Sequence, residues 1–254
     1  MSLQPIVGVI PARYGSTRFP GKVLAILGDR TVLHHVHDRA ARCSELDRVV
    51  VATDDERILR EVLAFGGTAV MTSSAHRSGT DRVAEAVESL PGGCPFVINI
   101  QGDEPFLDPE IIGRVARALR SDPGAIWTAV CPIKDEATLA RPDVVKAAVT
   151  ADGRVLYFSR APIPYLRGVG GVSLLHRHHV GIYGLSRDRI RRFVELPPSP
   201  LELAEGLEQL RALEAGIPVR AVTVAQGFGG IDTEEDLDQA RRHLAAAGIH
   251  GGDR

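Results

Sequence analysis

The chain has 254 residues, of which 44% are hydrophobic, enough for one large α/β domain or one domain with an insertion. A formal net charge of -2 argues against nucleic acid as a bulk electrostatic partner, and no apolar run approaches the roughly 18 residues of a membrane helix. Cys43, Cys94 and Cys131 are scattered with no C-x-x-C, which gives no zinc site and fits a reducing cytoplasm. Met1-Ser-Leu-Gln-Pro5 has neither the cationic nor the apolar region of a signal peptide.

In chain order, Ile6–Ile10 predicts a buried strand, and the loop Pro11-Ala-Arg-Tyr-Gly-Ser-Thr-Arg-Phe-Pro-Gly-Lys22 follows it. Helical spacing of apolar residues predicts helices over Val32–Cys43, Asp55–Phe65, Thr80–Leu90 and Pro109–Leu119. Short runs rich in Val and Ile predict strands over Arg48–Ala52, Thr68–Met71, Phe96–Ile100 and Ile126–Cys131. Asp108-Pro109-Glu110 supplies a cap, a first-position proline and an acidic first turn. This alternation predicts a doubly wound, mostly parallel α/β sheet. The rhythm changes near Lys134. Within Val144–Arg160, Asp152-Gly153 predicts a hairpin. Arg167–Ser173 then reads as a flexible loop and His179–Gly184 as a strand. Lys134–Ser186 is therefore read as an antiparallel insertion in a single domain spanning residues 1–254. Pro200–Ala215 returns to helix, Val219–Val224 to strand and Thr233–Ala247 to a closing helix, with Asp232-Thr233-Glu234-Glu235 as its cap and acidic first turn.

The loop after the first strand carries the chemistry. Open α/β sheets bind ligands at the carboxyl ends of their strands. There Arg13, Arg18 and Lys22 bring three positive charges, Gly15 and Gly21 permit close backbone approach, and Ser16 and Thr17 offer hydroxyls and amides. That set suits a polyphosphate. It is not a Walker A loop, because five residues separate Gly15 from Gly21 and Val23 stands where a Ser or Thr should be. The plain alternative is a solvated basic loop.

A polyphosphate needs a cation, and Asn99-Ile-Gln-Gly-Asp-Glu-Pro105 follows another strand on the same rim. Asp103 is its candidate magnesium ligand; magnesium prefers few carboxylates plus phosphate oxygens and water. Asp232, after Gly229-Gly230-Ile231, is the candidate second ligand, although it is also a good helix cap. His34, His35 and His37 read as helix-packing or surface residues, and His176, His178 and His179 lack zinc spacing.

Beyond these, the chain resembles the 3-deoxy-manno-octulosonate cytidylyltransferases, or CMP-KDO synthetases, from about Val7 to Arg241. The motifs run in order: Ile10 to Lys22, Val51-Ala-Thr-Asp54, His76-Arg-Ser-Gly-Thr-Asp-Arg82, Asn99 to Pro105, Leu156-Tyr-Phe-Ser-Arg-Ala161, His179-Val-Gly-Ile-Tyr183, Pro198-Ser-Pro-Leu-Glu202, Leu207-Glu-Gln-Leu-Arg211 and Ile231-Asp-Thr-Glu-Glu-Asp-Leu237. Each is weak alone; in this order they are specific.

The resemblance implies a Rossmann-like fold of the nucleotide-diphospho-sugar transferase type. It also implies the reaction of CTP with the acid sugar KDO to give CMP-KDO and pyrophosphate, with Mg2+, in lipopolysaccharide or related glycan synthesis. Carried over, Arg13 and Lys22 bind the triphosphate with Ser16 beside them, and Ser78, Gly79 and Thr80 hold cytosine with the backbone of Pro11 and Ala12. Asp103 and Asp232 hold magnesium. Gln101, Arg160, His179, Tyr183, Glu208 and Gln209 line the sugar site, with Gln101 also on the nucleotide side. A homodimer in contact through Lys134–Ser186 is implied as well. The loop Arg167–Leu175 is shorter and richer in glycine than the family's usual loop, and Arg77 and Phe19 also depart from it. A modified KDO or another 3-deoxy-ulosonic acid therefore stays open as the acceptor. Further alternatives are a nucleotidyltransferase for a neutral sugar phosphate or a pterin cofactor, and a non-catalytic nucleotide-binding module.

Overall fold

The computed structural model describes residues 4–16, 18–90, 94–168, 171–227 and 229–246. Thr17, Val169, Gly170 and Ala247, which enter the readings above, lie outside them. The chain forms two compact units, Met1–Gly113 with Phe228–Arg254, and Arg114–Gly227. The expected insertion, residues 134–186, lies inside the second.

In the first unit β1 (Ile6–Ala12) leads into the loop and a 3-10 turn at Lys22–Leu24. A two-residue hairpin follows, β2 (Ile26–Leu27) and β3 (Arg30–Thr31), then α1 (Val32–Ala41), β4 (Arg48–Thr53), α2 (Glu56–Ala64), β5 (Ala69–Met71), α3 (Gly79–Ser89) and β6 (Phe96–Asn99), and the chain enters α4 (Pro109–Ser121), most of which belongs to the second unit. The four longer strands are parallel, in the order β6-β1-β4-β5. Ile6, Val7, Val9 and Ile10 are fully buried, so β1 reads as a continuous apolar run because both its faces are covered. Helix starts follow local chemistry. Thr31 caps α1 and Asp55 caps α2, Ser78 and Asp81 form a capping box on α3, and Asp108 Oδ1 accepts from Glu110 N at 2.8 Å ahead of Pro109.

The closing helix, Glu234–Ala246, packs back on this unit. Ile231, Leu237 and Ala240 share a buried cluster with Leu27, Val32 and Phe106, and Phe19 of the Arg13–Lys22 loop rests on it. Burying Ile231 and Leu237 contributes about 1.5–3 kcal/mol each, and it is this packing that brings Asp232 back to the strand ends.

The second unit holds β7 (Ile126–Pro132), α5 (Glu136–Ala140), β8 (Lys146–Val149), β9 (Val155–Ser159), β10 (Arg177–Ser186), α6 (Arg187–Val194), α7 (Pro200–Glu205), α8 (Leu210–Glu214) and β11 (Val219–Thr223). β10 runs antiparallel to β7 and β8, β8 antiparallel to β9, and β11 parallel to β7. The antiparallel character expected here is present, and the hairpin turns at Gly153. The expected helix over 200–215 is two helices, because Gly206 sits at φ 62, a left-handed C-cap that ends α7. Arg211 then forks onto Glu202, Nε to Oε2 at 2.7 Å and Nη2 to Oε1 at 2.5 Å, tying α8 to α7.

Both members of that fork are largely buried, so removing one leaves the other uncompensated. Arg211→Ala should cost on the order of 3 kcal/mol, read as a lower urea midpoint, and the double variant with Glu202→Ala should cost less than the sum of the singles. Arg211, and after it burial and the Ser199 N–H, set the Glu202 carboxyl, which ends below its ordinary 4.5. The pair's contribution is therefore complete above about pH 4.5 and lost as pH falls through the lowered folded value. A wild-type acid limb unchanged in the Arg211 variant would contradict this.

Candidate active site

The parallel order β6-β1-β4-β5 puts a topological switch point between β1 and β6, where the chain departs in opposite directions along the sheet. A cleft of about 270 Å³ lies there, at the carboxyl ends. Pro11, Ala12, Arg13, Ser16 and Lys22 line it from the first loop, Ser78 and Gly79 from the start of α3, Gln101 and Asp103 from the loop after β6, and Asp232 from the approach to the closing helix. Of the residues expected on the nucleotide side, only Thr80 is absent from the lining; it is buried, and its Oγ1 accepts from Asn99 Nδ2 at 3.5 Å.

The loop's shape depends on Gly21. Its φ is 74, its N–H donates to the Tyr14 carbonyl at 2.8 Å, and a Cβ there would stand 2.9 Å from the Tyr14 ring. Tyr14 is in turn held under the Arg57 guanidinium, 3.3 Å from its centroid. Gly102 is similarly constrained, since a Cβ would stand 2.9 Å from the Pro11 carbonyl, so the loop after β6 lies directly against the end of β1.

Lys22 Nζ donates to Asp103 Oδ2 and, at 2.8 Å, to Asp232 Oδ1. Arg18 pairs with the other oxygen of Asp232 at 2.8 Å. The two acidic turns are joined by their backbones as well, Ile231 N–H donating to the Asp103 carbonyl at 2.9 Å. Asp232 does not cap the closing helix. Thr233 Oγ1 accepts from Asp236 N, and Asp236 Oδ2 accepts from Thr233 N, so that box leaves the Asp232 carboxylate to the cleft. Burial alone would lower the Lys22 pKa, but Asp103 and Asp232 together outweigh it and raise it. Burial would raise the Asp232 pKa, but Lys22 and then Arg18 outweigh it and lower it.

Sequence reasoning assigned no role to His76 and Arg82, which also line the cleft. Arg82 is buried and pairs with Asp54 Oδ2 at 2.9 Å, and it donates to Thr72 Oγ1. His76 pairs with Glu85. The signal lay in two quoted motifs, Val51–Asp54 and His76–Arg82, which this ion pair joins.

The other expected residues belong to the second unit. Arg160 Nε donates to the Glu205 carbonyl at 2.7 Å, Nη1 to Pro142 at 2.9 Å and Nη2 to Gly206 at 3.4 Å. An arginine has five N–H donors, so the guanidinium is held rigidly with donors to spare. Glu208 and Gln209 stand just after Gly206, in the turn that the Leu210 N–H closes on the Leu207 carbonyl at 3.1 Å. His179 is buried on β10, its Nε2 hydrogen-bonded to Thr128 Oγ1 at 2.9 Å and its ring 4.8 Å from Phe158 and 5.5 Å from Tyr183. Burial, helped by His178, pushes the His179 pKa down to about 3, which keeps the ring neutral.

Residues 7–222 match the family described as Cytidylyltransferase. The chain is 49% identical over 245 residues to the 3-deoxy-manno-octulosonate cytidylyltransferase of Anaeromyxobacter dehalogenans, covering 96% of this chain and 99% of that protein. It is 44% identical over 247 residues to the protein of the same name from Thermodesulfovibrio yellowstonii, covering 93% of this chain and 96% of the other. Among solved structures it resembles CMP:2-keto-3-deoxy-manno-octonic acid synthetase complexed with CTP, with a TM-score of 0.89, 40% identity, and 96% of this chain and 100% of that one covered. With 4-diphosphocytidyl-2C-methyl-D-erythritol synthase from Anaerococcus prevotii it shares the fold alone, at a TM-score of 0.63 and 18% identity over 95% of this chain and 96% of the other.

The geometry separates the two glycines of the first loop. An added Cβ meets nothing within 4 Å at Gly15, so Gly15→Ala should stay within about 0.5 kcal/mol of wild type. Gly21→Ala should cost at least about 1–2 kcal/mol for its left-handed backbone, with further loss from the Tyr14 contact. Equal melting temperatures for the two variants would contradict this. The His179 ring signals should stay flat in an NMR titration between roughly pH 5 and 8; an inflection there would show a ring that charges.

Proposed function

This chain belongs to the 3-deoxy-manno-octulosonate cytidylyltransferase family, and we propose on that footing that it transfers CMP from CTP to KDO. The products are CMP-KDO and pyrophosphate, for lipopolysaccharide or related surface-glycan synthesis. The observation that carries this reading is the meeting of Asp103 and Asp232 on Lys22 inside a cleft lined by Arg13, Ser16 and Arg18.

In this reading the anomeric hydroxyl attacks the α-phosphorus in line. The new P–O bond forms as the bond to the bridging oxygen of pyrophosphate breaks, and the hydroxyl proton passes to solvent. Such transfers depend on positioning and charge neutralisation more than on covalent help. Arg13, exposed at the rim, binds the triphosphate with Ser16 and Lys22. Ser78 and Gly79, with the Pro11 and Ala12 backbone, read cytosine. Thr80 stands behind them, fixing Asn99. Asp103 and Asp232 are the magnesium ligands. Two hard carboxylates facing one point suit an ion that completes its shell with phosphate oxygens and water. When bound, that ion supplies charge neutralisation and polarises the α-phosphoryl group.

Gln101, Arg160, His179, Tyr183, Glu208 and Gln209 serve the acid sugar. The anchored guanidinium of Arg160 supports this, because a fixed fork loses little freedom on meeting a carboxylate. His179, neutral, acts as a hydrogen-bonding group and not as a charge. The enzyme works as a cytoplasmic homodimer. Three free, buried thiols suit a reducing compartment, and exposed Tyr165 and Leu174 in the segment 134–186 offer apolar contact area.

Pyrophosphate release should be fastest with CTP among the four NTPs, and with KDO in a panel of 3-deoxy-ulosonic acids; equal turnover with ATP or GTP would overturn the assignment. Asp103→Asn and Asp232→Asn should each raise the magnesium requirement and lower maximal turnover by on the order of a hundredfold. By calorimetry, Arg160→Ala should weaken the acid sugar by about 1.5–3 kcal/mol and leave CTP binding unchanged. An equal loss for CTP would place Arg160 in the fold of its own unit and not at the sugar.

A further inference from the structure

We propose that Lys22 is the protein's own counter-ion for the Asp103–Asp232 pair, that it competes with the divalent ion for those oxygens, and that it yields them when a polyphosphate offers it another partner. The inference rests on the proposed assignment of the two carboxylates as metal ligands and deepens it.

Three of the four carboxylate oxygens already have cationic partners. Lys22 Nζ takes Asp103 Oδ2 and Asp232 Oδ1, and Arg18 takes Asp232 Oδ2. The two cations differ in standing. Arg18 is 62% exposed and touches one carboxylate, whereas Lys22 is 14% exposed and bridges both. A magnesium or manganese ion held by these carboxylates would approach each oxygen to about 2.1 Å, and so fall against the ammonium. Two like charges cannot share that place in a partly buried cleft.

Lys22 can leave without rebuilding the loop. Its backbone is fixed by the turn it opens, its carbonyl accepting from Ala25 N at 3.1 Å beside the Gly21–Tyr14 bond. The four-carbon stem is the flexible part, and Arg13, Ser16 and Arg18 mark where phosphates would draw it. The exchange therefore needs a rotation of one side chain and no backbone step. Its consequence is linkage. A polyphosphate that takes the ammonium frees the oxygens for the cation, and the cation in turn favours the polyphosphate by the same factor. The protein alone is thereby a poor site for a free divalent ion and accepts one together with nucleotide.

Manganese, titrated without nucleotide and followed by the electron paramagnetic resonance of the free ion, tests this without a turnover assay. Lys22→Met should bind manganese about tenfold or more tightly than wild type, since one opposing charge a few ångströms away is gone. Lys22→Arg should stay as weak as wild type. The gain should vanish in Lys22→Met combined with Asp103→Asn. Circular dichroism melts check that each variant is folded, and Lys22→Gln, which keeps a polar tip, carries the same comparison if the Met variant is not. Manganese binding by a folded neutral variant that is no tighter than wild type overturns the proposal. If that result comes with Asp103→Asn and Asp232→Asn still showing a raised magnesium requirement, the metal-ligand assignment stands and only the competition falls. A gain that survives Asp103→Asn places the ligands elsewhere, and both fall.

Discussion

Two carboxylates that meet on one ammonium set the terms for the first unit. Lys22 lies 81 positions from Asp103 and 210 from Asp232, and its Nζ reaches both. Without a cation between them, two carboxylates a few ångströms apart at an effective dielectric near 20 repel by on the order of 4 kcal/mol. Several features exist to make the meeting possible. Gly21 turns the loop over Tyr14 so that Lys22 points inward, and Gly102 lets the turn before Asp103 lie on the end of β1. The Thr233–Asp236 box relieves Asp232 of capping duty. The cluster of Leu27, Phe106, Ile231 and Leu237 then supplies the apolar free energy that holds the returning segment in place. Burial of greasy side chains thus sets the distance between charged ones.

What could be read from the sequence was what local chemistry determines. The unbroken apolar run of β1, the Asp108-Pro109-Glu110 start of α4 and the Asp152-Gly153 turn carry their signals within a few residues. The cleft was legible for a related reason. In a parallel sheet the residue after each strand lands on one rim, so charged and glycine-bearing loops after β1 and β6 had to face each other. The break at Gly206 was not legible, because apolar spacing continues across it and only the left-handed cap ends the helix. The Asp54–Arg82 pair was hidden in another way. Each residue sat in a recognisable motif, but nothing along the chain says that the two motifs answer one another. Asp232 shows the cost of reading residues singly. Its neighbour Thr233 takes the cap, accepting from the Asp236 N–H, and only the three-dimensional arrangement decides between them.

Two cations of the second unit, Lys146 and Arg160, are held by a different device. Lys146 is fully buried, and its ammonium donates to the carbonyls of Arg141, Val144 and Arg160. Arg160 donates its guanidinium to three further carbonyls, while Glu205 accepts from its backbone N–H and from Ser159 Oγ. Carbonyl dipoles satisfy a cation without cancelling its charge. A lysine or arginine held in this way keeps its attraction for an anion, whereas one paired with a carboxylate must first exchange that partner. Burial works against the charged form of Lys146, whose pKa is lowered, so its three well-placed acceptors offset a desolvation cost that a counter-ion would otherwise meet.

That contrast bears on how the proposed substrates would be held. The cation-bearing loop and the paired carboxylates lie in the first unit, and on the proposed reading they are the parts that handle the triphosphate. An acid sugar makes a separate demand, a positive group that is rigid and not already neutralised. In the second unit the hairpin β8–β9, the Lys146 hub and the Gly206 cap together hold Arg160 in that condition. His179, whose ring meets Phe158 of β9, is kept uncharged by burial, so it adds no charge of its own at that end of the unit. On the proposed reading, Lys22 and Arg18 rest on carboxylates that a divalent ion would take over, whereas Arg160 rests on carbonyls and keeps its charge for an acid sugar.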